Sequence, residues 1–524
     1  MKRRDFLRST VPAVTIPALI GGFSVKGFAE SSSLANMFGL NTSTDHVLVI
    51  VQLQGGNDGL NMVIPLDIYS NYVNARTNIA IPQANVLKLN GNDTAGLHPA
   101  MTGMQSMYNE GRLSIVQAVG YPTPNFSHFR ATDIWMSASD STVEVDTGWA
   151  GRYLNTEYPN YPNGYPNATM TDPLGIQIGS ITSLTFQGPQ VSTGMSISNP
   201  NSFYNLISGV QDPAPNTPAG KELTFVRLVA SQTQQYASVI TAAAARVPTQ
   251  GTYPTNNSLA DQLKIVARLI KGGLKTRIYM VSYGSFDTHA TQVNSMDFTT
   301  GTHANLLKNL SDAIKAFSDD CKGLGIDDRV VGMTFSEFGR RIKSNNSSGT
   351  DHGAASPLFV FGKNAIGGIL GTSPNLPVNA TVNDNIPFQY DFRSVYASIL
   401  ENWFCVDNNE LQTVLLKNFQ SLPVVNGLAC GKSAPNTSGL TLIRNFPNPF
   451  QGTTTIEFST AGNHTLVQVI DMSGRVVAIL VDKVYTAPTT DRVTFYGGNL
   501  PAGSYYARLQ NETTTQVRLM LKVK

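Results

Sequence analysis

The sequence predicts an α/β fold, a mainly parallel sheet flanked by helices, followed by a small all-β sandwich. Between residues 45 and 430, short apolar runs alternate with long helical patterns, as they do when strands are joined by helical crossovers. Beyond residue 440 the helical period disappears and evenly spaced β-branched runs take over, which reads as a sandwich. Only 14% of the 524 residues are charged, against about 25% in an ordinary domain. Uncharged Asn, Thr, Ser, Gln and Gly supply the polarity instead, so the chain does not fall in the charge-rich disordered class.

Each element follows in order. Residues 1–29 open with Lys2, Arg3 and Arg4, continue through an uncharged stretch from Val11 to Val25, and end at Ala29. That is the layout of a cleavable export signal, and the apolar stretch is too short for the roughly 20 residues of a spanning helix. Arg3-Arg4 followed by Asp5-Phe6-Leu7 resembles a twin-arginine signal; a general secretion signal is the alternative. Runs at His46–Leu53, Leu113–Val119, Ile278–Tyr283, Val330–Phe335 and Leu358–Phe361 read as buried strands. Ala219–Arg246, Ser258–Leu274 and His303–Lys322 carry the longest helical patterns. In the last, Leu306, Leu310, Ile314, Phe317 and Cys321 recur at helical spacing, and Gly323 and Gly325 stop it. Residues 155–218, rich in Pro, Asn, Tyr and Ser, read as a long insertion over one edge of the sheet. Residues 431–440 read as a linker, and 441–524 as the sandwich, with six runs from Thr453 to Val523.

Charge narrows the partners. Residues 30–440 hold 24 basic and 29 acidic side chains, and the net +2 of the whole chain comes from its basic ends. With no Lys/Arg block beyond the first residues, a nucleic-acid groove is excluded. Cys321, Cys405 and Cys430 contain no CxxC pair, which leaves neither a thiolate zinc knuckle nor a dithiol redox motif. At most one disulfide can form, with Cys405–Cys430 the pair to test.

In sheets of this kind ligands sit beyond the carboxyl ends of strands, and four such loops carry chemistry. After Gln54 comes Gly55-Gly-Asn-Asp58. After Ser282 comes Gly284-Ser-Phe-Asp287-Thr-His289, whose spacing puts Asp287 and His289 on one face if extended, as two ligands of one cation require. After Phe335 comes Ser336-Glu337, and shortly after it Asp351-His352. After Val119 comes Pro122-Thr-Pro-Asn-Phe-Ser127, with Ser127 placed to cap a helix through Ser139. A hydroxyl there lies in the positive field of the helix terminus, Arg130 could clamp an anion, and His128 could be a base or a ligand. Each feature also has a structural reading. Ser127 could be a plain cap with Phe129 and Trp135 packing, Asp287 a cap, Asp351-His352 a turn, and Glu337 an ion-pair partner of Arg340 and Arg341. His98 and His303 read as structural, His46 and His464 as strand residues.

Six segments resemble the exported bacterial family of domain of unknown function 1501, a distant relative of alkaline phosphatases and sulfatases. They are Gln54–Asn61, Asn125–Trp135, Gly148–Leu154, Phe286–His289, Phe335–Arg341 and Gly349–Ala355. The resemblance implies divalent metal held by Asp58, Asp287, His289, Glu337, Asp351 and His352, with Ser127 as nucleophile and Arg130 as clamp. The cation is open among Zn, Mn, Mg and Ca. No His stands beside Glu337, so one ligand of the superfamily pattern is missing, and no Cys/Ser-x-Pro-x-Arg sequence surrounds Ser127. Asn445-Phe-Pro-Asn-Pro-Phe450, Asp471–Arg475 and Leu500–Tyr506 resemble the C-terminal sorting domain of the type IX secretion system of Bacteroidetes. That implies passage through this machinery by way of residues 441–524, and a surface or extracellular destination with no transmembrane anchor. Two functions follow: a metal-dependent hydrolase of phosphate or sulfate esters, acting on an anionic ester or glycan, or a non-catalytic surface binding protein that retains the fold.

Overall fold

The computed structural model describes residues 45–199, 236–427, Cys430 and 441–523, apart from the turns 461–463, 472–474, 487–488 and 512–514. Ahead of these it describes only an antiparallel pair, Ala18–Ile20 with Phe23–Val25. Most of the export signal read over 1–29, the linker 431–440 and the first part of the Ala219–Arg246 helix therefore lie outside the described residues. Residues 236–245 of that helix are helical.

The central sheet has nine strands. In chain order they are β1 (Val47–Leu53), β2 (Leu113–Gly120), β3 (Gly175–Ile178), β4 (Gly194–Ile197), β5 (Ile278–Tyr283), β6 (Val330–Ser336), β7 (Ser356–Phe361), β8 (Gly368–Leu370) and β9 (Tyr390–Asp391). Their spatial order is β8-β2-β7-β6-β1-β5-β3-β4, with β9 extending β2. Every pairing is parallel except those of β7, which runs antiparallel to both β6 and β2. Every residue of β1 and β2 is buried, as expected of strands covered on both faces.

The alternation of β1 shows how the layers form. Val47, Val49 and Val51 point into one core, and Leu48 and Ile50 into the other. The first core is closed by α1 (Thr102–Asn109), α4 (Ser258–Lys271) and α5 (Thr302–Gly323). The second is closed by α2 (His128–Ser137), α3 (Trp149–Glu157) and α6 (Phe392–Asn402). α4 starts where the Asn257 side chain accepts from the Ala260 N–H and ends at Gly272, two residues short of the Leu274 expected from the sequence. A disulfide joins Cys405 to Cys430, and Cys321 is free and buried.

Three expectations change. The segment read as an insertion supplies β3 and β4, two four-residue strands that extend the sheet at that edge. They were hidden because four residues between Pro- and Asn-rich stretches show no measurable period. α2 ends at Ser137, with Ala138 in the left-handed region at φ 57°, rather than continuing to Ser139. Phe129 is 87% exposed and does not pack, whereas Trp135 is buried.

Seven strands in two antiparallel sheets form the carboxy-terminal sandwich. Six match the sequence runs and the seventh, Thr441–Phe446, carries the start of the Asn445–Phe450 motif. Ile456, Phe458, Val467, Val469, Phe495 and Leu509 fill its core. Among the described residues no helix is long and apolar enough to cross a membrane.

Candidate metal centre

The parallel strands β1, β2, β5 and β6 all end at one rim of the sheet. Because β7 is reversed, its beginning lies at that same rim, which brings the loop before it, with Asp351 and His352, to the loops that follow the other strands. A two-residue antiparallel ladder, Gly339–Arg340 with Gly353–His352, fixes His352 opposite Arg340.

Arg340 is fully buried and binds three of these loops together. Its guanidinium donates to the carbonyls of Gly55 (2.5 Å), Gly56 (2.6 Å), Phe286 (3.2 Å) and Thr350 (2.7 Å) and to Asp287 Oδ1 (2.6 Å). Gly55 and Gly56 have φ of +116° and +76°, and a Cβ on Gly55 would lie 2.5 Å from the Asp287 nitrogen. Only glycine lets that loop lie against the Asp287 backbone.

Three imidazoles converge on Asp287. His289 Nε2 lies 3.1 Å and His352 Nε2 3.2 Å from Oδ1, and His128 Nε2 lies 3.5 Å from Oδ2. The Nε2 atoms of His289 and His352 are 2.9 Å apart. Each ring is held from behind through Nδ1: His128 by Glu337 Oε1 at 2.9 Å, His289 by Asp351 Oδ1 at 3.2 Å, and His352 by the Phe126 carbonyl at 2.9 Å. Carboxylates and carbonyls only accept, so all three Nδ1 atoms carry hydrogen, and in the neutral rings all three Nε2 atoms present lone pairs. Burial lowers the pKa of His352 against the opposing hydrogen bonds of the Phe126 carbonyl and Asp287. Burial pushes the Asp287 carboxyl up, but hydrogen bonds with Arg340 and His352 and the charge of Arg340 outweigh it and leave the group below its usual value. With the rings neutral, these Nε2 lone pairs and the Asp287 carboxylate form a donor set that a cation at the centre would accept. Atoms of His128, Asp287 and His352 all lie within 4.8 Å of one another, as ligands of one ion require. Imidazole nitrogens with one carboxylate suit Zn or Mn better than Ca or Mg.

The sequence-derived residues therefore separate. Asp287, His289 and His352 meet, and His128 joins them from the helix terminus. Glu337, with a side chain only 3% exposed, accepts from the Gly55 N–H at 2.8 Å as well as from His128. It pairs with neither Arg340 nor Arg341 among the described residues, and it orients the His128 ring from behind. Asp351 does the same for His289 and is fixed by Asn345 at 3.1 Å.

Asp58 does not reach the cluster. It is wholly buried, with both oxygens on Arg76 Nη1 (2.7 and 2.6 Å) and Oδ2 on Gln292 (2.5 Å). Arg76, just past the short helix Tyr69–Ala75, lies 18 residues on, and a pairing over that separation leaves no local pattern. Arg130 is engaged at the end of α2. Its Nη2 donates to the carbonyls of Asp140, Ser141 and Val143, closing the loop after α2. Ser127 begins α2 without a capping hydrogen bond. Asn125 Oδ1 accepts its N–H at 2.9 Å, and its hydroxyl is exposed between Phe126 and His128, both of which touch the centre. Reasoning from residue types could not find the Phe126 carbonyl or the bridging role of Arg340, because one is backbone and the other depends on three distant loops.

A cleft of about 380 Å³ opens beside the cluster, with Phe126, Arg341 and Val382-Asn383 on its walls and His289, Asp351 and His352 within it. His303 and His98, read as structural, are buried. His46 is buried too, with Nδ1 2.7 Å from the Trp403 carbonyl.

Residues 216–413 match the family model described as "Protein of unknown function (DUF1501)", and residues 444–522 match "Secretion system C-terminal sorting domain", as both sets of motifs implied. A tail of the second kind directs export toward the cell surface or beyond. None of the curated proteins matches the chain. Among solved structures, the PsFucS1 sulfatase from Pseudoalteromonas sp. is 10% identical over 88% of this chain and 86% of its own, with a TM-score of 0.36. A protein in the alkaline phosphatase superfamily from Vibrio parahaemolyticus is 11% identical over 84% and 83%, with a TM-score of 0.31. A putative sulfatase from Bacteroides fragilis is 11% identical over 88% and 90%, also with a TM-score of 0.31.

Proposed function

We propose that this is an exported, metal-dependent hydrolase of phosphate or sulfate monoesters, with one divalent cation held by His128, Asp287, His289 and His352. The observation that carries the reading is the convergence of three Nε2 lone pairs on the Asp287 carboxylate, each ring fixed through Nδ1. When bound, the ion would lower the pKa of the attacking group and offset charge on the transferred oxygens. Glu337 and Asp351 set ring tautomer and orientation from behind. The first-turn N–H groups of α2 offer donors to an anion.

Ser127 is the nucleophile in this reading. Its hydroxyl gives up its proton as the oxygen bonds to phosphorus or sulfur, and the ester oxygen departs with the bonding electron pair and takes up a proton to leave as the alcohol. Water then releases the inorganic anion and restores the hydroxyl. Residues 441–524 take the chain through type IX secretion, so the ester would be met at the surface or outside the cell.

The test is metal content of the purified full chain by mass spectrometry, with hydrolysis of 4-nitrophenyl phosphate and sulfate by wild type and Ser127→Ala. Bound Zn or Mn and a loss of at least a hundredfold in the variant are expected. Metal without turnover would favour the non-catalytic binding protein, and absence of both metal and turnover would overturn the reading.

A further inference from the structure

Each of two ligand-bearing loops carries a buried threonine beside its ligands, Thr288 between Asp287 and His289 and Thr350 ahead of Asp351 and His352, and both hydroxyls end on the same amide. Thr288 Oγ1 donates to Gln292 Oε1 at 2.9 Å, and Thr350 Oγ1 donates to the same oxygen at 3.0 Å. Gln292 Nε2 donates to Asp58 Oδ2 at 2.5 Å. A carboxylate only accepts, so the amide nitrogen faces Asp58 and the oxygen is left to take both hydroxyls. Thr288 is 3% exposed, and Gln292, Thr350 and Asp58 are wholly buried, which makes each of these bonds costly to leave unmade.

Main-chain bonds join the two loops to one another. The Thr350 N–H donates to the Thr288 carbonyl at 3.1 Å, and the N–H groups of Thr291 and Gln292 donate to the carbonyls of Ser347 and Ser348 at 2.9 and 2.8 Å. The joined loops form one unit that carries Asp287, His289 and His352. The remaining ligand, His128, stands on α2 and is set through Glu337, which also takes the Gly55 N–H. Gly55 and Asp58 lie on one loop after β1, so the shape of the centre depends on how the unit sits against that loop. Arg340 attaches the unit at Gly55 and Gly56. Gln292 attaches it a second time, at Asp58, which is itself held by Arg76. One attachment fixes a distance, and two fix an orientation.

We propose that Gln292 is a positioning residue of the metal centre, an amide that sets Asp287, His289 and His352 against His128 while both of its own polar atoms are engaged elsewhere. The proposal rests on the metal-dependent reading of the same centre. Loss of the amide leaves all four ligands in the chain and removes only their preorganisation. Its effect therefore falls on affinity and ligand field, and the metal count is kept.

The experiment uses the full-length chain, with zinc affinity measured by competition with a chromophoric chelator and the ligand field read from the visible absorption of bound cobalt(II). Thr288→Val combined with Thr350→Val removes both hydroxyls at nearly constant volume, and Gln292→Met removes the amide. Both proteins should bind zinc about tenfold more weakly than wild type, the lower end of the cost of losing an outer partner, and both should shift the cobalt bands. The two should agree, because they cut the same attachment. Thr288→Ser combined with Thr350→Ser keeps the hydroxyls and should restore wild-type affinity and bands. If Gln292→Met does not fold, the Val and Ser pairs decide. Wild-type affinity and bands in a folded Val pair, or an equal loss in the Ser pair, overturn the positioning role and leave the centre standing. A wild-type chain that binds neither zinc nor cobalt overturns the metal reading and this proposal together.

Discussion

Glu337 Oε1 lies 2.9 Å from His128 Nδ1, an orienting contact between the end of one strand and the start of one helix. A carboxylate there fixes which nitrogen carries hydrogen and turns Nε2 toward Asp287. Glu337→Gln keeps the shape but can offer an N–H instead of an oxygen to the ring. Zinc affinity, measured by competition with a chromophoric chelator, should fall about 10- to 100-fold, the usual cost of losing such a partner, while the unfolding midpoint stays near that of wild type.

Asp58 and Arg76 form the opposite case, a fully buried pair with no hydrogen bond to the histidine cluster among the described residues. Removing one member of a buried pair leaves the other uncompensated, at a cost of about 3–5 kcal/mol. Asp58→Asn should lower the unfolding free energy measured in urea by that amount and leave zinc stoichiometry unchanged. If zinc were lost from a protein still folded, Asp58 would be a ligand after all.

Stability should fall in mild acid through His303 and His98. Burial pushes His303 down to about 4 and His98 down to about 3. His303 Nε2 faces Asn57 Oδ1 at 3.0 Å, and its Nδ1 has no partner among the described atoms, so the folded protein holds the ring neutral. Below the ordinary value near 6.5 the unfolded chain binds protons that the folded state refuses. Stability is therefore whole above about pH 6.5 and declines as pH falls toward 4, by about 3 kcal/mol for His303 alone at 1.36 kcal/mol per unit. Urea titrations at stepped pH should show that slope, shallower in His303→Gln.

The Cys405–Cys430 bridge spans 25 residues. Loop-closure entropy puts its contribution at about 3 kcal/mol. Cys405→Ser with Cys430→Ser should lower the midpoint of thermal unfolding by several degrees, and reductant should have that effect on wild type but none on the double variant.

Much of this fold could be read from the chain. Apolar runs such as Val47–Leu53 fall on strands because burial on both faces demands an unbroken run, and the chemistry-bearing loops were found by looking just past their ends. β3 and β4 escaped because they are too short to show a period. At the site, residue types drew attention to Asp287, His289 and His352. The separation of Asp58 from them depends on Arg76, and the roles of Glu337 and Asp351 depend on which nitrogen of each ring they face. Arg130 illustrates the same limit, since its carbonyl partners have no side-chain signature.

The reversal of β7 has a further consequence. In the β6–β7 register Gly332 faces Phe361, so the chain leaves the sheet at Ser336 and returns beside it at Ser356. Residues 337–355 are thus a detachable cassette with adjoining sockets, carrying Glu337, Arg340, Arg341, Asp351 and His352 together. Relatives could lengthen its exposed tip at residues 346–347, leaving Asn345 beside Asp351, at little more than the logarithmic cost of closing a larger loop. Diversification of this scaffold should concentrate there, with the sheet beneath it unaltered.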